Sequence, residues 1–300
     1  MNSVDNCVTD SKVIYILGTG RSGSTILEIL LSKGKDVFAA GELTSLVEDG
    51  FVKNSECSCK SLTSDCDVWS KVKDEIGLSQ KEYVEWAKLQ KRIDWHNGFI
   101  RQLLRKIPED DLSRYHSINS QLYNAISNVT GSKVIIDSSK YAGRLLGIRE
   151  ITKQKLLVIC LTRSPSGLLH SFQKKNKNEQ KPKSHIGVLL YYTVSLVLLR
   201  MACFIFRKNL IEIRYEKLIE NPVGTIERIE QWSKLDFSRT KTYLKEDKRF
   251  EVGHIVTGNR LRKKSEVKFK SGGNNIHLSG LKNTLVLSLM KIWQFVFRFA

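Results

Sequence analysis

The stretch KVIYILGTGRSGST, residues 12–25, decides the predicted fold of this chain. Its first six residues form a short apolar run rich in β-branched side chains, which is typical of a buried parallel strand. Gly18 follows at once and predicts a tight turn. The apolar positions of residues 25–32 then predict a helix that ends near Gly34. The order is therefore strand, glycine-rich turn, helix.

More strands of the same kind follow along the chain. Three further apolar runs are residues 133–136 (KVII), 155–161 (KLLVICL) and 210–214 (LIEIR). The first two end in polar residues, Asp137 and Arg163, at the strand end where open α/β sheets bind ligands. Four such strands separated by helical segments predict an α/β fold with a doubly wound parallel sheet flanked by helices.

The glycine-rich turn predicts a phosphate-binding loop. Successive backbone N–H groups and the positive end of the following helix dipole converge on one anion in such a turn. Its spacing, Gly-x4-Gly followed by Ser-Thr, is P-loop-like, except that Ser24 stands where a nucleotide triphosphatase has lysine. Arg21 supplies a positive charge from another position. The expected phosphate-binding residues are Gly20, Arg21, Ser22, Gly23, Ser24 and Thr25.

A divergent P-loop kinase or NTPase is one alternative that this turn permits. Such an enzyme needs the missing lysine and an aspartate at a strand end for magnesium, and Asp137 is the good candidate for that aspartate. A nucleic-acid-binding protein is a second alternative, because 49 Lys and Arg against 31 Asp and Glu give a net charge of +18. We predict no nucleic-acid partner, since the basic run at residues 260–264 lacks interleaved aromatic residues.

The chain is interpreted as a single domain over residues 1–300, with a helical insertion at about residues 50–131 that shapes the acceptor site. The first twelve residues contain no basic and apolar secretory signal, which predicts a cytoplasmic protein. Residues 173–184 are charged and poor in apolar side chains, so they predict a mobile surface loop that could act as a lid.

Two apolar segments raise the question of membrane contact. In residues 187–206 only about 12 residues precede Arg200, fewer than the roughly 20 that cross a bilayer, so we predict a buried core helix. Residues 285–300 are aromatic and interrupted by Lys291 and Arg298. This C-terminal segment predicts either a terminal packing helix or a peripheral, interfacial membrane anchor.

The loop RSGST after an apolar strand resembles the 5′-phosphosulfate-binding loop of the sulfotransferases that use 3′-phosphoadenosine 5′-phosphosulfate (PAPS). Arg163 and Ser171 fit the R-x-P-x5-S pattern of the 3′-phosphate site in the same family. A guanidinium and a hydroxyl are suitable donors for a terminal phosphate. The resemblance implies that the chain transfers a sulfuryl group from PAPS to an acceptor hydroxyl, without a metal.

Other segments carry the same resemblance. Gly41-Glu42-Leu43 is similar to a segment of the carbohydrate and tyrosylprotein sulfotransferases that holds an acidic catalytic base, so Glu42 is the candidate base. Lys140, or the serines before it, would contact the sulfuryl oxygens, and Arg21 would stabilise the leaving group. Residues 214–222 resemble the RYEDL…NP segment common to these enzymes, and residues 258–262 resemble a GN-x-x-R segment of bacterial members. The resemblance implies a carbohydrate acceptor. His96, His116 and His170 are the alternative candidates for the base.

The position of Glu42 rests on a further expectation. We predict a short strand at residues 37–40 that runs beside the first strand and returns the chain to the same end of the sheet. A carboxylate that follows this strand would then face the reacting sulfur.

A cluster of cysteines precedes Trp69. Cys57, Cys59 and Cys66 are spaced C-x-C-x6-C, which matches no standard zinc finger and resembles an element of bacterial sulfotransferases. The three thiols could bind zinc with a fourth ligand, or two of them could form a disulfide. The favoured interpretation is that they are thiols of a surface loop.

Overall fold

The computed structural model describes residues 9–173, 183–258, 260–269, 272 and 280–296. Its centre is a sheet of five parallel strands in the order β2-β3-β1-β4-β5. The strands are β1 Lys12–Gly18, β2 Val37–Ala39, β3 Val134–Lys140, β4 Leu156–Thr162 and β5 Leu210–Arg214. The strands predicted from the sequence are therefore confirmed. A separate two-stranded antiparallel sheet pairs β6 Arg249–Glu251 with β7 Glu266–Lys268.

Helices cover both faces of the sheet. They are α1 Ser24–Leu31, α2 Leu43–Ser45, α3 Trp69–Ile76, α4 Gln80–Asp94, α5 His96–Leu103, α6 Glu109–Thr130, α7 Ala142–Gly147, α8 Arg149–Thr152, α9 Pro165–Gln173, α10 His185–Ile205, α11 Tyr215–Glu220, α12 Pro222–Ser233, α13 Ser238–Lys245 and α14 Leu281–Val296. A π-helical segment, Leu46–Val52, continues α2. This arrangement is the predicted doubly wound α/β fold.

Alternate residues of β1 enter two different hydrophobic cores. Val13 and Tyr15 pack with α4, α6 and α7 on one face, whereas Ile14 and Ile16 pack with α1 and α12 on the other. All four side chains are fully buried, because successive side chains of a strand point to opposite faces and both faces are covered. The helices α3 to α6 of the predicted insertion share the first of these cores with the sheet.

The carboxyl ends of the strands meet at one edge of the sheet. Gly18 of β1 is in register with Leu161 of β4, and Leu17 is in register with Lys140 of β3. The pairing of β1 with β3 slips by one residue just before Lys140, which adopts a left-handed backbone conformation with φ of 74°. Irregularities of this kind redirect a side chain, and here the Lys140 side chain enters the pocket described below.

One expectation about the sheet is wrong. β2 does not run beside β1, because β3 lies between them and pairs with both. All three strands are parallel, so β2 still returns the chain to the carboxyl edge.

The apolar segment at residues 187–206 forms α10. By length and hydropathy α10 could cross a membrane, yet half of its most apolar stretch is buried inside the protein. Arg200 is buried as well, and its Nη1 lies 2.8 Å from Oε1 of Glu212. The prediction of a buried core helix is therefore correct for one face, while Leu190 and Phe204 on the other face are 62% and 59% exposed.

Of the predicted loop at residues 173–184, residues 174–182 lie outside the described residues.

Candidate active site

A cavity of about 660 Å³ opens at the carboxyl edge of the sheet. The lining includes the loop after β1, the ends of β3 and β4, and the segment after β2. The residues that line it include the loop glycines Gly20 and Gly23 and the polar or aromatic residues Arg21, Ser24, Thr25, Glu42, Lys140, Tyr141, Arg163, Ser171, Tyr191, Tyr215 and Thr257. The tertiary structure thus brings almost every residue proposed from the sequence into one pocket. Among the residues of the phosphate loop Ser22 is the exception, since its side chain is fully buried.

The loop between β1 and α1 contains two residues with a left-handed backbone, one glycine and one arginine. Gly23 has φ of 100° and Arg21 has φ of 68°, both in the left-handed region. A Cβ atom on Gly23 would lie 2.3 Å and 2.5 Å from two ring carbons of Tyr215, so glycine is required by space as well as by conformation. Tyr215, the first residue of α11, therefore forms the floor beneath the loop.

The amides of Gly20 and Ser22 in the predicted cradle already have partners inside the protein, and that of Ser22 donates to the Thr19 oxygen at 3.2 Å. The N–H of Gly20 donates to Oη of Tyr191, at 2.7 Å. Tyr191 lies on α10 and packs edge-on against Phe172 of α9, with ring centroids 5.3 Å apart. The loop is thus tied to two helices that also line the pocket.

Arg163 occupies the far end of the same loop. Its Nη1 donates to the backbone oxygen of Arg21 at 2.8 Å, and its guanidinium lies 4.4 Å from the ring centroid of Tyr215. Burial lowers the pKa of Arg163. Ser171, two turns further along α9, lines the same pocket. Among the described residues no carboxylate forms an ion pair with Arg163, although Glu216 lies close enough to act on its charge, so a bound anion would supply the direct partner.

Glu42 and Lys140 form an ion pair at the centre of the pocket. Lys140 Nζ donates to Glu42 Oε1, and the two side chains are only 17% and 15% exposed. Thr257 holds the backbone on the other side, because its hydroxyl donates to the Glu42 carbonyl oxygen at 3.3 Å. Glu42 Oε1 would lie 3.0 Å from a Cβ on Gly258, so the segment at residues 257–258 closes tightly over the carboxylate.

The serines before Lys140 do not face the pocket, which corrects the expectation that they would contact the sulfuryl group. Ser138 donates to Glu28 Oε2 at 2.7 Å, and Ser139 donates to Asp137. Both serines are buried. Their hydroxyls are used to satisfy buried carboxylates, because an unpaired buried carboxylate is costly.

Asp137 is committed to a buried ionic network. Arg144 Nε lies 2.7 Å from its Oδ2, and Tyr123 Oη donates to the same oxygen at 2.7 Å. Arg144 also reaches Asp94 at 3.1 Å, and both aspartates and the arginine are completely buried. Asp137 therefore cannot coordinate magnesium in the pocket. This removes the aspartate that the kinase or NTPase alternative requires.

Glu28 lies behind the pocket and positions the segment that carries Glu42. Its Oε1 accepts the Gly41 N–H at 2.6 Å, and its Oε2 accepts the Ser138 hydroxyl. The side chain is 1% exposed, and burial raises its pKa to about 8. No local sequence pattern marks Glu28 as functional, because it lies among the apolar residues of α1.

The three candidate histidines lie in different surroundings. The His96 ring is edge-on to Tyr141 and Tyr191, at centroid distances of 5.3 Å and 6.4 Å, and so lies just behind the pocket wall. Burial lowers the pKa of His96, which favours its neutral form. His116 packs against Tyr115 and does not line the pocket. His170 does not line it either.

The cysteine cluster is not a set of surface thiols. Cys57 and Cys66 are fully buried, whereas Cys59 is exposed. Their sulfurs lie together with Nδ1 of His254, and all four atoms are within 4.8 Å of one another. No sequence pattern indicated His254, which is 188 residues from Cys66.

Comparison with known proteins identifies the family. The sequence matches the family model described as the sulfotransferase family over residues 13–239. The chain belongs to the sulfotransferase family. No curated protein matches the sequence. The match covers the phosphate loop, Glu42, Lys140, Arg163 and Ser171, so all the pocket residues proposed from the sequence lie within it.

One solved structure shares the fold of this sulfotransferase, and two others are similar over much of the chain at lower TM-scores. The sulfotransferase domain from the curacin biosynthetic pathway is 16% identical, with a TM-score of 0.54, and the likeness covers 94% of this chain and 98% of that one. The sulfotransferase domain from the Synechococcus PCC 7002 olefin synthase is 15% identical, with a TM-score of 0.48 and coverage of 98% and 97%. A sulfotransferase from Mycobacterium avium is 14% identical, with a TM-score of 0.45 and coverage of 81% and 70%.

Several pocket residues were missed by the sequence analysis. Tyr141, Tyr191 and Tyr215 line the cavity, as do Ser45 and Asp49 near Glu42. Tyr215 had a usable signal, because it directly follows β5 in the way that Arg163 follows β4. Tyr191 had none, since it lies within an apolar helix whose pattern predicts only burial.

Proposed function

We propose that this sulfotransferase transfers a sulfuryl group from PAPS to a hydroxyl of a carbohydrate acceptor. The observation that carries the proposal is the single pocket that joins the β1 loop, the Arg163–Ser171 pair and the Glu42–Lys140 ion pair. The loop and the Arg163–Ser171 pair are neighbours in this pocket, since Arg163 Nη1 donates to the backbone oxygen of Arg21 at 2.8 Å. The third lies where the acceptor would enter.

The loop and Arg163 would bind the two phosphate ends of the donor. The backbone amides of Gly23, Ser24 and Thr25 at the N-terminus of α1 would favour the 5′-phosphosulfate. Arg163 and Ser171 would favour the 3′-phosphate, because the partly buried guanidinium gains from an anionic partner. Arg21, within the loop, lines the pocket and would stabilise charge on the departing phosphate.

Glu42 would act as the general base. It would accept the proton of the acceptor hydroxyl as that oxygen forms its bond to sulfur and the bond from sulfur to the bridging phosphate oxygen breaks. The products would be the sulfated acceptor and adenosine 3′,5′-bisphosphate. Lys140, which is ion-paired with Glu42 in the pocket, would lie within reach of the sulfuryl oxygens.

Binding of adenosine 3′,5′-bisphosphate tests the donor. We expect the bisphosphate to raise the melting temperature, and ATP with magnesium to raise it far less. Arg163→Ala should weaken binding of the bisphosphate by roughly 10–100-fold more than it weakens binding of adenosine 5′-phosphate. The reason is that a hydrogen bond to a charged group contributes about 1.5–3 kcal/mol. Arg149→Ala, at an exposed arginine of α8, is the matched control. Equal losses for both nucleotides would mean that Arg163 only supports the loop.

The acceptor side of the pocket favours a polyhydroxylated ligand. Ser45, Asp49 and Lys140 supply hydrogen-bonding groups around Glu42. Tyr141 adds an aromatic wall, and Trp95 of the helical insertion stacks on it with an interplanar angle of 13° and is 48% exposed. Aromatic faces beside hydroxyl-binding groups suit sugar rings. This contact is also how the insertion at residues 50–131 would shape the acceptor site.

A screen with labelled PAPS tests the acceptor. Mono- and oligosaccharides, tyrosine peptides, phenols and lipid alcohols would be offered in parallel, with Glu42→Gln as the blank for each. Incorporation of label into saccharides above that blank is the expected result. Labelling of phenols or lipid alcohols alone would overturn the choice of carbohydrate while leaving the donor assignment intact.

The protein is proposed to be cytoplasmic, where PAPS would be available, and to contact membranes at its surface. Exposed apolar residues recur at helical spacing on α10 and on α14, two helices that pack together. They include Ile186, Leu190, Val194, Phe204, Leu285, Ile292 and Phe295. Co-sedimentation with vesicles containing anionic lipid should fall when Leu190 and Phe295 are changed to glutamate. Unchanged binding of the double variant would exclude this surface.

A further inference from the structure

Four ligand atoms converge beside the pocket without taking part in it. They are the sulfurs of Cys57, Cys59 and Cys66 and Nδ1 of His254, here called the thiol–imidazole cluster. We propose that the thiol–imidazole cluster binds one structural zinc ion, in a closed site with three thiolates and one imidazole. The inference does not depend on the identity of the donor or the acceptor.

The distances fit a tetrahedral zinc centre. Two sulfurs bound to zinc at about 2.3 Å are about 3.8 Å apart in a tetrahedron. Sγ of Cys57 and Sγ of Cys66 are 3.8 Å apart. Sγ of Cys66 and Nδ1 of His254 are 3.2 Å apart, and a shift of only a few tenths of an ångström gives the edge of about 3.6 Å that a sulfur and a nitrogen need.

The backbone around the cluster is organised to hold the ligands in place. Ser58 lies between two of the cysteines, and its hydroxyl donates to the Gly253 oxygen at 2.5 Å and accepts the Ile255 N–H at 2.8 Å. The Ser58 N–H donates to the Ile255 oxygen at 3.0 Å. Trp69 Nε1 donates to the His254 oxygen at 2.6 Å. These bonds clamp His254 against the cysteine loop from both sides.

The chemistry of the donor set selects zinc. Soft thiolate ligands favour zinc over magnesium or calcium, and a Cys₃His set with four protein ligands is typical of structural sites. Burial of two ligands limits exchange, while exposed Cys59 gives the ion a path of entry. A disulfide between Cys57 and Cys66 is the competing arrangement, but its sulfurs would have to approach to about 2.05 Å. The reducing cytosol expected for this protein also disfavours it.

A zinc ion here would fix one wall of the active-site pocket. His254 is three residues from Thr257, whose hydroxyl holds the backbone of Glu42. Gly258 then covers the Glu42 carboxylate. The four ligands come from two segments almost 190 residues apart in sequence, so the ion would close a long loop and secure residues 253–258 over the base.

Metal analysis of the purified protein tests the proposal directly. The protein would be produced without a metal-affinity tag and with zinc in the medium, and its metal content measured by mass spectrometry. We expect one zinc per chain in the wild type and less than a fifth of that in Cys66→Ser and His254→Ala. The matched control is Cys203→Ser. Cys203 is also buried, and its sulfur is 3.2 Å from that of Cys160, but among the described residues this pair is not part of a metal-ligand cluster. This variant should keep its zinc.

Two measurements on the unaltered chain remain informative if the variants fail to fold. Replacement of zinc by cobalt should give the intense visible bands and the near-ultraviolet thiolate charge transfer of a tetrahedral thiolate site. Thiol titration of the denatured, chelated protein should find all six cysteines reduced. Zinc-free protein that also fails to bind cobalt would overturn the proposal, and so would a titration that is two thiols short, because that result shows a disulfide.

Discussion

The Glu28→Gln substitution tests the protonation state of a buried carboxyl behind the active site. Glu28 Oε1 accepts the Gly41 N–H, and Oε2 lies 2.7 Å from the Ser138 hydroxyl. A glutamine can accept the same N–H with its oxygen and donate to the serine with its amide nitrogen. It therefore reproduces the hydrogen bonds of the protonated acid without the possibility of ionisation.

The size of the expected stability difference follows from the pKa of Glu28 in the folded and unfolded states. Burial raises the pKa of Glu28 from 4.5 to about 8. Between these values the folded protein binds more protons than the unfolded chain, so the contribution of Glu28 to stability falls as pH rises from 4.5 to 8 and is constant above. At 1.36 kcal/mol per pH unit, the full loss is about 5 kcal/mol, which we treat as an order of magnitude.

Urea unfolding at pH 5 and pH 8.5 measures this difference. The two proteins should have free energies of unfolding within about 1 kcal/mol at pH 5, and Glu28→Gln should be more stable by about 2–5 kcal/mol at pH 8.5. Glu227→Gln, the same chemical change at an exposed position of α12, is the control and should follow the wild type at both pH values. Parallel pH profiles for wild type and Glu28→Gln would refute the reasoning.

Three further predictions concern the pocket and its support. Glu42→Gln should lower turnover by roughly 10²–10⁴-fold with nearly unchanged affinity for adenosine 3′,5′-bisphosphate; unchanged turnover would transfer the role of base to His96. Gly23→Ala should destabilise the protein by about 2–5 kcal/mol in thermal unfolding, through its φ of 100° and its overlap with Tyr215. Gly131→Ala, with φ of 67° and no atom within 4 Å of the new Cβ, isolates the conformational part, and equal losses would disprove the overlap. Arg144→Met should cost about 3–5 kcal/mol in urea unfolding, because it leaves two buried carboxylates without their cation, and a loss below 1 kcal/mol would contradict this.

The amino-acid sequence by itself determined the central sheet and the phosphate loop. Strands buried on both faces are continuous apolar runs, and the glycines of the loop follow the first of them directly, so local pattern is sufficient. Arg163 and Ser171 were also accessible, because both come within nine residues of the end of β4. Glu42 was found through its resemblance to related enzymes, although the strand order used to place it was wrong.

Only the tertiary structure decided which side chains meet. Ser138 and Ser139 follow the same strand as Lys140, yet the slip in register before Lys140 sends its side chain to the pocket while the serines satisfy buried carboxylates. His254 joins cysteines that are far away in sequence, through backbone hydrogen bonds that no local pattern reports. Burial likewise determines which form of Glu28 is stable, because the cost of a buried charge depends on all the surrounding atoms and not on neighbours along the chain.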